Sequence, residues 1–363
     1  MDTGAAFRRG CFLGLAIGDA LGYPADGMSW EQIREAYGDS GLLGFDLQND
    51  ELAEITSYTQ IAAFAACGLL CGMTQGEGQY SEFLAAGFRE WAKLQQTRLA
   101  PTRGLCWVGQ LPQFRRRASM DTRMVESLIH RTPGSIRKPS NDSNTPGALT
   151  AAVAVGLFFA PGRMDPGRIG TLGAQVVALS HGDPETFLAG ALIAYTVAGI
   201  LQDPDTVLGE QFTQAIRAVS GQFGARFPQQ AEALEAKVRK AFALVKRLEL
   251  EPRKAMEQLG CETAAECVSG AFYSCLIHPG SFDEAITAAV NHSGRSGATG
   301  ALAGAIMGAK LGEGELKEFY LDSLECTHVI RRLAEDLNRG CRTNRLFDDS
   351  WDLKYTQGQA IFE

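Results

Sequence analysis

With 363 residues, 45% of them hydrophobic and 21% charged, the chain has the composition of a globular protein with material for a sizeable core. Its formal net charge of −8 argues against a dedicated DNA or membrane-surface binder, because both normally need a basic face. Nine cysteines, at 11, 67, 71, 106, 261, 267, 275, 326 and 341, include no CxxC pair, and the opening MDTGAAFRRG lacks a signal-peptide pattern. The expectation is a cytoplasmic protein with buried, reduced thiols.

Apolar residues at three-four spacing predict helices over Phe7–Leu21, Thr59–Cys71, Ser81–Leu94, Thr150–Phe159, Ile169–Leu179 and Thr186–Leu201. The same signal continues over Gly209–Val219, Gln229–Leu248, Thr263–Cys275, Phe282–Val290, Thr299–Leu311 and Leu324–Leu337. Turn clusters at Pro161–Arg163, His181–Pro184, Gln202–Asp205 and His278–Gly280 separate some of these segments. The longest apolar run, Phe187–Leu201, is shorter than the ~18–20 residues that cross a bilayer and reads as a core helix. No alternating strand pair, internal repeat or linker stands out, so the chain reads as all-α, a single domain over residues 1–363.

Glycines 10, 14, 18 and 22 recur every four residues, as do 300, 304 and 308, giving two helices a face on which another backbone can approach closely. Interior glycine costs ~1 kcal/mol against alanine, so its repetition at one spacing predicts that close packing offsets the cost and places both helices at the centre. The segment Arg98–Lys138 carries nine Lys/Arg against only Asp121 and Glu126. It is either a solvated loop or a rim for an anionic ligand or protein partner.

Four segments carry a further pattern. They are RGCFLGLAIGDALG (9–22), ITSYTQI (55–61), NDSNTPGALTAAVAVGLFF (141–159) and NHSGRSGATGA (291–301), with LSHGDP (179–184) and APTRGLC (100–106) between them. In order and spacing this set resembles the ADP-ribosylglycohydrolases, the dinitrogenase-reductase-activating type of fold, from about residue 8 to about residue 312, leaving 313–363 as C-terminal helices and tail. The resemblance implies a multi-helix orthogonal bundle and hydrolysis of N- or O-glycosidic bonds to ADP-ribose. It also implies two Mg or Mn ions between a T-D-D segment and a D-x-D-[ST] segment, since hard dications take oxygen ligands and orient ribose and water.

Residue by residue, this chain departs from that ligand set. Thr56 remains, but Ser57 and Tyr58 stand where the family has aspartates, and Arg295, Gly297 and Ala298 stand where it has two aspartates and a hydroxyl residue. The family's Mg/Mn site is therefore expected to be absent, with no other cofactor implied. The family's phosphate-binding glycine and arginine are Thr145 and Ala151, while Ser143 and Gly147 remain.

Candidate ligand-binding residues are Thr56, Ser57, Tyr58, Ser143, Gly147, Asn291, Ser293, Gly294 and Arg295. Arg295 either supplies fixed charge to a phosphate or carboxylate, or neutralises Asp19 or Asp142. Tyr58 either fills vacated volume or stacks on a base or ribose. Asp142, His181 and Asp19 are the groups available for metal-free acid–base work, and Asp19 and His181 have equally simple structural readings. Three functions follow as expectations: a binding protein for a nucleotide-like or anionic ligand, a metal-independent hydrolase or lyase, and a subunit or inhibitor of an ADP-ribosylation system. No DNA or membrane partner is expected.

Overall fold

The structure, a computed structural model, describes residues 3–47, 52–75, 79–97, 104–119, 121–130, 132–159, 165–340 and 349–360. Arg98–Arg103, the Pro161–Arg163 turn and Cys341 lie outside them. In chain order the helices are α1 (Thr3–Gly22), α2 (Trp30–Tyr37), α3 (Ser57–Gln75), α4 (Tyr80–Thr97), α5 (Thr122–His130), α6 (Thr150–Phe158), α7 (Pro166–Ala178), α8 (Pro184–Gln202) and α9 (Leu208–Phe223). They continue as α10 (Pro228–Val245), α11 (Pro252–Leu259), α12 (Ala264–Ile277), α13 (Phe282–Val290), α14 (Ser296–Leu311), α15 (Glu318–Ser323), α16 (Thr327–Gly340) and α17 (Asp349–Tyr355). Among the described residues the only extended pairing is an isolated parallel bridge between Ala53 and Leu324.

The glycine spacing sets the centre of the bundle. α1 and α14 run antiparallel with their glycines face to face, so that a Cβ on Gly10, Gly14 or Gly18 would meet the carbonyl of Gly308, Gly304 or Gly300. Around this pair α14 contacts α12, α13 and α8, while α1 contacts α16, and α3 packs on α4 and α6. One hydrophobic cluster runs from Cys11 in α1 to Tyr355 in α17. α8 extends to 19 residues, longer than its apolar run alone, which makes it long and apolar enough by length and composition to cross a membrane. Its side chains are instead largely buried against α6, α7 and α9.

A carboxylate and a glycine then fix the start of the helices that matter for the site. Asp19, in the last turn of α1 and wholly buried, accepts hydrogen bonds from Thr56 N and Oγ1 and from Thr59 N and Oγ1, at 2.6–3.1 Å. It satisfies amides at the beginning of α3 that no intrahelical carbonyl can reach. Gly294 adopts φ +119°, which glycine tolerates without strain, and so turns the chain into α14 at Arg295.

Candidate functional site

The beginnings of α3 and α14 come together, as their sequences suggested, at a cavity of about 490 Å³. Tyr58 and Arg295 line it from these helix starts, and Thr145, Pro146 and Gly147 line it from the turn before α6. Asp26, Ser119, Asp121 and Arg123 complete most of the wall. A neighbouring cavity of about 530 Å³ shares Arg123 and is lined by Glu126, His130, Asn141, Asp142 and Ser143.

Arg295 is the cation of the first cavity. Its Nε lies 3.4 Å from Glu262 Oε2, and its guanidinium makes no hydrogen bond among the described residues. Burial works against its charge, but Asp26, Tyr58 and Glu262 outweigh that and keep it protonated. Its charge partners are thus Asp26 and Glu262. Neither Asp19, whose oxygens are taken by threonines, nor Asp142, which lines the other cavity, is the partner that the sequence suggested.

Asp26 accepts from Ser119 Oγ at 2.9 Å and from Gly297 N at 3.1 Å. Burial raises its pKa, moderated by those hydrogen bonds and by Arg295. Tyr58 is 4% exposed and packs its ring closely beside Gly297, so that a Cβ there would come 3.1 Å from Tyr58 Cε2. It fills volume and still presents a face to the cavity.

The Thr145 hydroxyl links a second set of groups. It donates to Asp121 Oδ2 at 2.5 Å and lies 2.9 Å from His181 Nε2 and 3.3 Å from Ser143 Oγ. His181 is fully buried, with Nδ1 2.9 Å from Ser180 Oγ and Nε2 3.6 Å from Asp121 Oδ2. Asp121 Oδ1 accepts from Arg123 N and Met124 N, capping α5. Burial pushes the Asp121 carboxyl up, but the nearby His181 and the Thr145 hydrogen bond hold it well below the usual carboxylate range.

Of the residues singled out by sequence, Tyr58, Gly147 and Arg295 share this cavity, His181 backs its wall through Thr145, and Asp142 and Ser143 line the adjoining one. The others make hydrogen bonds elsewhere in the bundle, and Asn291 lines a third cavity of about 340 Å³. Asp19 and Thr56 bond to each other, and Ser57 Oγ donates to Ser119 O at 2.7 Å. Asn291 bonds both backbone groups of Leu42, Ser293 Oγ accepts from Trp30 N and donates to Glu257, and Gly294 O accepts from Gly27 N. Asp26 and Asp121 were missed as site residues. The available signal for Asp121 was its isolation: it and Glu126 are the only acids within Arg98–Lys138, and each lines one of the two cavities. That segment is not one basic face, since Arg116 is paired with Glu325 and Glu54.

The donor set bears directly on metal binding. Ser57 spends its proton on a backbone carbonyl, and Gly297 and Ala298 offer no side-chain oxygen. Among the described residues no group of three or more His, Cys, Asp or Glu is placed to hold a metal ion.

Comparison with known proteins agrees with this architecture. The sequence profile of the ADP-ribosylglycohydrolase family matches residues 6–346. An uncharacterized protein of Archaeoglobus fulgidus is 26% identical over 337 residues, covering 91% of this chain and 95% of its own length. A solved structure of an ADP-ribosylglycohydrolase-related protein complex superposes with a TM-score of 0.54 at 18% identity, covering 94% of this chain and all of that one, a likeness of fold. With the profile spanning nearly the whole sequence and the helical bundle shared, the chain belongs to the ADP-ribosylglycohydrolase family.

Proposed function

We propose that this protein binds an anionic small molecule through Arg295 in place of a dinuclear Mg or Mn centre, and that it does not carry out the metal-dependent hydrolysis that its family resemblance implies. The observation that carries the reading is the charged Arg295 guanidinium lining the cavity without a hydrogen bond among the described residues. A guanidinium can hold a phosphate or carboxylate with two parallel hydrogen bonds, and it repels a dication in the same space. The residues at the family's ligand positions do not fit a pair of hard cations, which require several oxygen donors. The two carboxylates of the cavity come from other segments and already accept hydrogen bonds from Ser119, Gly297 and Thr145. Titration with Mn(II), followed by electron paramagnetic resonance and by thermal denaturation, is expected to show no site of micromolar affinity and no shift in midpoint. A stoichiometric, stabilising Mn(II) site would overturn this reading.

The contact of Thr145 with both Asp121 and His181 favours a second reading, metal-independent hydrolysis or elimination on a glycosidic substrate. Acid–base help is worth ~10²–10⁴ in rate, so it predicts slow turnover in EDTA. The contact geometry makes loss of that turnover in His181→Ala the sharper check, and Asp142→Ala the control from the neighbouring cavity. An interaction role remains the third proposal, and a stable co-purifying protein covering the cleft would support it.

A further inference from the structure

The cavity is a poor host for a diphosphate. Its charged side chains, Asp26, Asp121, Arg123 and Arg295, cancel formally, and Arg295 already faces Asp26 and Glu262. Arg123 is exposed at a rim shared with the adjoining cavity, where water and salt screen it. Among the described residues Arg295 is therefore the one cation placed to meet an anionic group, and there is no second for a diphosphate.

Asp121 also covers the backbone that would otherwise serve a phosphate. The turn from Thr145 to Gly147 leads into α6, a place where free amides commonly receive anions. Here Pro146 has no N–H to give. A Cβ built on Gly147 would lie 3.4 Å from Asp121 Cβ and from His181 Nε2, so these side chains already occupy its face. A phosphate brought to this wall would meet an ionised carboxylate held by Thr145 and by the α5 amides. The rest of the lining suits hydroxyl groups: the Thr145 and Ser119 hydroxyls, the Tyr58 side chain and the outward lone pairs of the two aspartates.

We propose that the cleft takes a sugar monophosphate, a polyhydroxylated ligand with one anionic group, and that Asp121 turns diphosphates away. The assignment rests on Arg295 as the anion's partner and adds the wall on which the sugar hydroxyls sit. Asp121 therefore acts as a selectivity residue as well as the cap of α5.

Calorimetric titration of the full-length protein in EDTA, with ribose 5-phosphate and with ADP-ribose as probes, tests this. Wild type is expected to bind ribose 5-phosphate at least roughly tenfold more tightly than ADP-ribose, the size expected for one like-charge contact in a partly screened site. Asp121→Asn and Asp121→Ser both retain a capping side chain, so α5 is expected to survive, and circular dichroism checks it. Each is expected to shift the ratio of the two affinities by roughly tenfold toward ADP-ribose, whatever it does to ribose 5-phosphate alone. Tighter binding of ADP-ribose by wild type, or no change in the folded variants, overturns the inference while leaving Arg295 intact. Unchanged binding of both probes by Arg295→Ala sinks the anion site instead, and binding of neither probe by wild type sinks both.

Discussion

At the scale of single residues, Asp19 holds the beginning of α3 through Thr56 and Thr59, while Tyr58 and Arg295 line the cavity. Tyr58, Gly147 and Arg295 were legible because each sits inside a motif whose order fixes its place in the fold. Asp26 and Asp121 were not, because nothing local marks a carboxylate that becomes a cavity wall only when α5 and the turn after α1 fold against α3, α6 and α14. Asp19 had two readings in the sequence, an acid–base group or a structural carboxylate. It has the look of an acid–base group, yet all its bonds go to Thr56 and Thr59, and burial raises its pKa to about 6 despite those hydrogen bonds. Because the folded value lies above the unfolded value of ~4, this carboxyl's contribution to stability is full below pH ~4 and is lost as the pH rises through the folded pKa. A carboxyl-carbon NMR titration is expected to show Asp19 titrating near pH 6 rather than near 4. Asp19→Ala leaves buried donors on Thr56 and Thr59 without an acceptor and is expected to cost about 3 kcal/mol in chemical denaturation.

At the scale of elements, helices with a dense apolar pattern were legible and five short, more polar ones were not. Every segment predicted from periodicity is a helix, and the ends differ by a few residues, as with Thr59–Cys71 against Ser57–Gln75. The short helices α2, α5, α11, α15 and α17 were missed because polar residues interrupt their apolar period, whereas the equally short α6 and α13 are mostly apolar and were legible. Their signals were local: Ser29 and Gln32 form a capping box at α2, and Asp121 caps α5. The glycine faces read correctly as close packing. Gly18→Ala would drive a methyl group into the Gly300 carbonyl of α14, and overpacking of this kind costs about 1–3 kcal/mol or more. Gly221, on an exposed turn of α9 with nothing within 4 Å of a built Cβ, provides the control. Gly221→Ala is expected to stabilise by roughly 0.5–1 kcal/mol, so paired denaturation curves of opposite sign check the assignment of the α1–α14 pair as the centre.

At the scale of the molecule, the all-helical class followed from the absence of any alternating pattern, and the architecture followed from the order of the motifs. The C-terminal region was less legible, because the motif resemblance stopped near residue 312 while the family match continues to 346. The structure shows why the rest belongs with the core. Lys354 on α17 pairs with Asp336 on α16 in a buried bridge, the Tyr355 hydroxyl donates to Asp336 at 2.6 Å, and Trp351 and Tyr355 join the central cluster. Lys354→Met leaves a buried carboxylate without its cation and is expected to cost about 3–5 kcal/mol in urea denaturation. The whole bundle is the scaffold that carries the proposed anion site at Arg295. The claim that Arg295 has taken over from the metal pair is tested most directly by the affinity of ribose 5-phosphate, measured calorimetrically for wild type and Arg295→Ala with Mg(II) and with EDTA. Equal affinity in the two buffers, with at least roughly tenfold loss in the variant, is the expected result. Binding that requires Mg(II), or that survives removal of Arg295, would contradict it.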